Sequence, residues 1–356
     1  VQEIPEVDAV LGTTSYDDIV QALNEASAGK HFEEFKDINF LPEDSGRRVI
    51  TTGGHFGYLK IAEGCDKHCT YCIIPSLRGN FRSVPEERLM AQAEYMASQG
   101  VKELILVAQE TTVYGTDLYG KKTLHLLLRK LCQIKGIRWI RILYCYPEEI
   151  YDELIQVMKE EKKICHYLDL PIQHCSDRIL KRMGRRTSKA QLVEIITKLR
   201  KEIPDIVLRT SLITGFPGET EEDHQELLEF VDEMEFDRLG VFTYSPEEDT
   251  PAATMKDQIP EELKEERRDE IMELQQEISL DKGNQRIGQE MLVMIEGKVS
   301  GESAYIGRTY MDAPKVDGYM FVQTGELMVT GDFAKVRVTG ALEYDLIGEL
   351  TDEYTE

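Results

Sequence analysis

Cys65, Cys69 and Cys72 stand together in the run Gly64-Cys65-Asp66-Lys67-His68-Cys69-Thr70-Tyr71-Cys72. The spacing is C-x3-C-x2-C. Three thiolates packed this tightly can hold three corners of a cubane iron–sulfur cluster. No further cysteine lies nearby to hold the fourth, so one iron is left open to a small ligand. A simple electron carrier has no use for such an opening.

Other uses of the cysteines fit less well. Seven cysteines is an odd count, which argues against a disulfide framework. Zinc sites are usually built from two separated pairs, and this spacing is not that arrangement. Cys132, Cys145, Cys165 and Cys175 sit singly in apolar or strand-like contexts and read as buried free thiols.

A chain of 356 residues is long enough for more than one domain. No apolar run approaches the length needed to span a bilayer. Reduced thiols and an oxygen-sensitive cluster point to the cytoplasm. The 66 Asp and Glu against 42 Lys and Arg give a net charge of −24, which repels nucleic acid and favours a basic partner. Asp177 to Lys201 runs against this trend, with nine basic residues opposed only by Asp177 and Glu194. It reads as a solvated helical face, or as a contact for phosphate.

Six short apolar-rich runs alternate with amphipathic stretches: Tyr58 to Glu63, Glu103 to Ala108, Trp139 to Tyr146, His166 to Ile172, Val207 to Thr214 and Arg238 to Tyr244. Such alternation predicts parallel strands with helices outside, because parallel pairing needs a long crossover. Six units make an open, partial (β/α)6 barrel. Pro260 to about Leu280 reads as a connecting helix. Beyond Gly288, short alternating runs separated by glycine predict a small antiparallel β-barrel. Before residue 50, Tyr16 to Ala28 is helix-like, and a polar stretch continues to Asp44. The expected domains are 1–49, a remnant of a larger N-terminal domain; 50–284, the partial barrel with its connecting helix; and 285–356, the small β-barrel.

The cysteine run follows the first strand at its C-terminal end, the mouth where chemistry sits in parallel barrels. Three other strand ends should face the same space. They carry Ala108-Gln109-Glu110-Thr111-Thr112, Gln173-His174 and Gly215-Phe216-Pro217-Gly218-Glu219. Glu219 is placed to begin the next helix. Arg209, on a strand expected to be buried, needs a carboxylate partner, from a ligand or from an internal Asp or Glu.

The cysteine spacing, with the aromatic Tyr71 before the last cysteine, resembles the radical-SAM superfamily. Gly331-Asp332-Phe333-Ala334-Lys335-Val336-Arg337-Val338 resembles the end of a TRAM domain. Ile73 to Gly79, Val107 to Thr112, Leu170 to His174 and Asp312 to Gly318 extend the likeness to the methylthiotransferase branch, and within it to members that modify a ribosomal protein. The resemblance implies a [4Fe–4S] cluster on Cys65, Cys69 and Cys72, with S-adenosylmethionine chelating the open iron. A 5′-deoxyadenosyl radical then takes hydrogen from the β-carbon of an aspartate in the small-subunit ribosomal protein numbered twelve. Tyr71, Gln109, Gln173, Arg209 and Gly215 are the expected cofactor contacts. An electron donor is a further expected partner.

Family members carry three more cysteines in an N-terminal domain, holding a second cluster that supplies sulfur, whereas residues 1 to 50 contain none. The chain is therefore expected to be a truncated form that cleaves S-adenosylmethionine but does not insert sulfur alone. Two alternatives stay open: methylthiolation of a tRNA adenosine, with nucleic acid meeting the Asp177 to Lys201 segment, or a ribosome-binding module with structural cysteines. From Arg286 to Leu350, six basic residues stand against ten acidic ones, a net of −4. That balance favours a basic protein partner over tRNA.

Overall fold

The computed structural model describes residues 4–41 and 49–351. Six strands form one sheet: β1 (Phe56–Lys60), β2 (Glu103–Val107), β3 (Trp139–Ile142), β4 (Ile164–Asp169), β5 (Val207–Thr214) and β6 (Arg238–Thr243). They are paired in chain order and all parallel, with β1 and β6 at the two edges, so the barrel is open as expected.

The crossovers are helical: α1 (Glu86–Ser98), α2 (Leu124–Cys132), α3 (Asp152–Glu160), α4 (Lys189–Glu202) and α5 (Glu221–Met234). Each turns a narrow apolar stripe onto the outer face of the sheet. In α1 the stripe is Leu89, Ala93 and Met96, at helical spacing. Capping boxes at Ser188–Gln191 and Thr220–Asp223 start α4 and α5. Thr220, not Glu219, therefore begins that last helix. Outward residues of the strands, among them Leu59, Leu104, Leu106, Ile140, Leu168 and Leu208, form the main core with these helices.

Strand pairing ends earlier than the apolar runs suggest after β3 and β4. Tyr144 (φ 58°) adopts a left-handed backbone conformation there, which bends the chain out of the ladder and toward the mouth, whereas Gln173 (φ 72°), also left-handed, returns to the sheet as a single parallel bridge to Leu212. The 3-10 turn Pro147–Glu149 precedes α3, which begins at Asp152.

The connecting helix α6 (Glu261–Asn284) leads to a closed five-stranded barrel: β7 (Glu290–Lys298), β8 (Ala304–Arg308), β9 (Met320–Gln323), β10 (Phe333–Ala341) and β11 (Leu346–Leu350). Four of its pairings are antiparallel, but β9 and β11 pair in parallel. An odd number of strands cannot alternate direction all the way round, so one closing pair must be parallel.

This small barrel fills the N-terminal half of the sheet's inner face. Phe56, Ile105, Trp139, Tyr167 and Val207 share one core with Val293, Met320, Val322, Phe333 and Val336. The Trp139 and Phe333 rings meet edge to face, with centroids 4.9 Å apart. The opposite, C-terminal half of the inner face is left for a ligand.

Toward the N-terminus, Ala9–Leu11 and Phe32–Glu34 pair in parallel across the helix Ile19–Ser27. The end of the polar stretch, through Asp44, lies outside the described residues.

Candidate active site

The cysteine loop is held by backbone geometry. Gly64 has φ 81°, and a Cβ there would lie 2.1 Å from the Asn80 carbonyl oxygen, so only glycine lets the loop pass. The Cys65 N–H donates to the Gly79 carbonyl at 3.2 Å, and the Thr70 N–H to that of Met183 at 2.9 Å. The Thr70 hydroxyl donates to the Arg182 carbonyl at 2.8 Å. The loop is thus strapped both to the segment that follows it and to the turn after β4.

All three thiols line one cavity of about 390 Å³ at the C-terminal ends of the strands, together with Lys60, Lys67, Gln109, Tyr144 and Tyr146. Among the described residues, no three His, Cys, Asp or Glu side chains converge closely enough to hold a single metal ion. Three thiols spread around a cavity of this size fit a larger group, and a four-iron cluster with one free corner is such a group. Burial pushes the Cys65 thiol up to about 11 and raises that of Cys72. Ligation by a cationic group would reverse this, since a coordinated thiol is deprotonated outright.

The remaining cysteines, Cys132, Cys145, Cys165 and Cys175, are all buried away from this cavity, and none lines it. Burial raises the thiols of Cys132 and Cys165 to about 12. They are inert core groups by this measure.

Of the five side chains or backbones expected around the cofactor, Gln109 lies in the cavity wall. It accepts from the Gly64 N–H at 2.9 Å and donates to Glu63 at 3.2 Å, so it also fixes the cysteine loop. Tyr71 packs its ring edge to face on Phe216, centroids 6.4 Å apart, and burial raises its phenol. Gln173 joins the sheet through its backbone, donating to the Ser211 carbonyl and accepting from the Ile213 N–H. Arg209 has internal carboxylate partners: Nη1 is 2.6 Å from Asp169, and Nε is 3.4 Å from Asp317 of the small barrel. Gly215 (φ 67°) faces helix α6, where a Cβ would meet Lys264 Cγ at 2.2 Å. Those four do not line the cavity, although Tyr71 stands beside Cys69 and Cys72 from behind the loop.

Glu219 is fully buried, with Oε1 2.9 Å from Arg267 of α6 and Oε2 3.6 Å from His174 Nε2. Its work is to tie two strand-end loops to α6.

Tyr146, Lys67 and Lys60 escaped the sequence reading. The Tyr146 hydroxyl is 3.7 Å from Cys69 Sγ. Arg185 and Lys67 both lie over its ring, 4.2 Å and 4.9 Å from the centroid. Lys60 was findable: it ends β1 on the same face as Tyr58, by the period-two rule, and so must point into the mouth.

Much of the basic segment is paired with carboxylates elsewhere in the chain. Arg178 pairs with Asp223, Lys189 with Glu226 at 3.1 Å, and Lys198 with Asp152. Arg185 is almost fully buried, 3.8 Å from Glu148. These are staples between helices and loops, so about half of the segment's positive charge is spent on internal carboxylates.

The radical SAM superfamily matches residues 59–231, and the TRAM domain matches residues 287–351. The ribosomal protein uS12 methylthiotransferase RimO of Lachnoclostridium phytofermentans is 65% identical over 346 residues, covering 97% of this chain and 79% of that protein. The chain belongs to the uS12 methylthiotransferase family. Two more members are similar over nearly its whole length. The Clostridium perfringens protein is 51% identical over 98% of the chain and 78% of its own length. The Clostridium botulinum (strain Hall) protein is 49% identical over 99% and 79%. As a family of radical-SAM enzymes, its members use a [4Fe–4S] cluster and S-adenosylmethionine. Among the described residues no helix is long and apolar enough to cross a membrane.

Proposed function

We propose that this chain carries out the radical-SAM part of the methylthiolation of ribosomal protein uS12, hydrogen abstraction at the β-carbon of an aspartate. Residues 1–50 hold no cysteines for a second, sulfur-supplying cluster, so this chain alone does not insert sulfur. One observation carries the chemistry: three thiols on a single cavity, with no fourth cysteine lining it. When bound, the cluster and S-adenosylmethionine supply a carbon radical able to take hydrogen from an unactivated C–H bond, which no side-chain base could deprotonate.

The chain's own residues do the rest. Cys65, Cys69 and Cys72 hold the cluster, and Gln109 keeps their loop in register through Gly64. Tyr71 backs the cofactor from behind the loop, braced by Phe216. Gln173 and Gly215 act from behind the cavity, Gln173 by fixing the chain after β4 to β5 and Gly215 by seating the loop after β5 on α6. Arg209 acts on the cofactor side through Asp169, whose other oxygen accepts the Tyr144 N–H at 3.1 Å and so sets that ring at the cavity. The small barrel closes the inner face from below, which excludes water from the reacting C–H. We assign one cluster to residues 50–284, with residues 285–356 as the TRAM barrel and residues 1–49 as the remnant of an N-terminal domain. An electron donor docks at the mouth.

A basic ribosomal protein suits the charge of −24 better than tRNA does, and part of the Asp177–Lys201 segment is already spent on internal ion pairs. The test is to offer the anaerobically reconstituted chain purified uS12 and tRNA with S-adenosylmethionine and a reductant. Enhanced 5′-deoxyadenosine formation with uS12 alone is expected. Enhancement by tRNA alone would reject this reading.

A further inference from the structure

Two lysines line the cavity, and they are differently engaged. Lys67 is nearly buried, pairs with Glu149, lies 3.8 Å from Glu110 and covers the Tyr146 ring. It is fully occupied in holding the site together. Lys60 is different: its side chain is 47% exposed, and its ion-pair partner is Glu63, three residues on. Glu63 does not depend on Lys60. It is buried, accepts from Gln109 at 3.2 Å and stands 3.8 Å from Arg78, so it stays compensated if the ammonium turns toward a ligand.

The position of Lys60 gives that freedom a direction. It is the last residue of β1, paired in register with Val107, on the inner face above Tyr58. It therefore faces the open half of the sheet, where the exposed ring of Tyr144 lines the same cavity. The strong negative charge of the chain attracts a basic loop but repels the one acidic side chain that must enter the cavity. That side chain carries its carboxylate one bond from the carbon that reacts. A cation at the mouth removes the conflict.

We infer that Lys60 anchors the carboxylate of the target side chain and thereby selects aspartate at the reacting position. The inference rests on the function proposed above. A charge-assisted pair of this kind favours the acid over its amide by about tenfold.

The test uses the full chain and two synthetic peptides of the uS12 target loop, identical except for Asp or Asn at the target position. Binding is followed by fluorescence anisotropy, and S-adenosylmethionine affinity is measured separately by equilibrium dialysis on the reconstituted protein. The wild type is expected to prefer the Asp peptide. Lys60→Met should bind both peptides alike, at the level of the Asn peptide, while Lys60→Arg keeps the preference and cofactor affinity stays unchanged. Retained preference in Lys60→Met, or none in the wild type, would overturn the assignment while leaving the uS12 reading intact. A loss of cofactor affinity in Lys60→Met with the peptide preference kept would overturn it in favour of the cofactor's own carboxylate. Failure of the wild type to bind either peptide would reject the uS12 reading and this inference with it.

Discussion

Arg308 of the small barrel donates to Glu103 of the sheet at 2.7 Å, with both side chains fully buried. Arg141 donates to the other Glu103 oxygen at 2.8 Å, and Arg308 also pairs with Glu296, which stands 3.4 Å from His55. Arg141 reaches on to the Tyr310 carbonyl at 2.6 Å. Burial alone would raise the Glu103 carboxyl, but Arg308 and Arg141 outweigh it and hold the group below its ordinary range. The two domains are thus joined by charges that satisfy one another as well as by the shared apolar core.

Breaking this pair should be costly. Glu103→Gln leaves two buried guanidinium groups facing a neutral amide, and about 3–5 kcal/mol of stability should be lost. Because the native carboxyl is depressed, its contribution is present above the unfolded value near 4.5 and disappears as pH falls through the folded value. Urea unfolding of wild type and variant across pH 3 to 7 checks this. The difference should shrink toward acid.

Glu110 behaves in the opposite sense. It is buried beside the cysteine loop, and burial raises its carboxyl to about 7 despite Lys67 nearby. Its folded form holds a proton that the unfolded chain releases near 4.5, so stability falls as pH rises from about 5 to 7 and then levels. Glu110→Gln keeps the acceptor for the Thr112 N–H, 3.1 Å from Oε1 in the native protein, and removes the slope. Between pH 5 and pH 8 the variant should gain roughly 2–3 kcal/mol relative to wild type, read by chemical denaturation.

Gly215 tests the link between loop and connecting helix. Its φ of 67° disfavours any side chain, and a methyl group would press on Lys264, whose ammonium donates to the Tyr244 carbonyl at 2.7 Å. Gly215→Ala should cost about 1–3 kcal/mol in thermal or urea unfolding. It should also weaken binding of S-adenosylmethionine, because the loop after β5 must shift. A variant with wild-type stability would show that α6 yields freely there.

The alternation of short apolar runs with amphipathic stretches made the six parallel strands legible, and the stretches between them became helices such as Glu86–Ser98 and Glu221–Met234. The cysteine spacing made the centre of the site legible because its ligands are local in sequence. What escaped was non-local. Tyr146 reaches Cys69 only because Tyr144 takes a left-handed turn at the end of β3. Arg209 finds Asp317 over a separation no local pattern encodes. The parallel closure of β9 on β11 follows from counting strands around the barrel, which requires knowing first that it closes.

The most direct measurement is iron content and EPR after anaerobic reconstitution with iron and sulfide. The account predicts about four irons per chain, and a reduced-cluster signal that shifts when S-adenosylmethionine is added. Cys65→Ala, Cys69→Ala and Cys72→Ala should each abolish that signal, while Cys132→Ala and Cys175→Ala should leave it in place. Zinc in place of iron, a signal indifferent to the cofactor, or loss of iron on removing a buried core cysteine would contradict it.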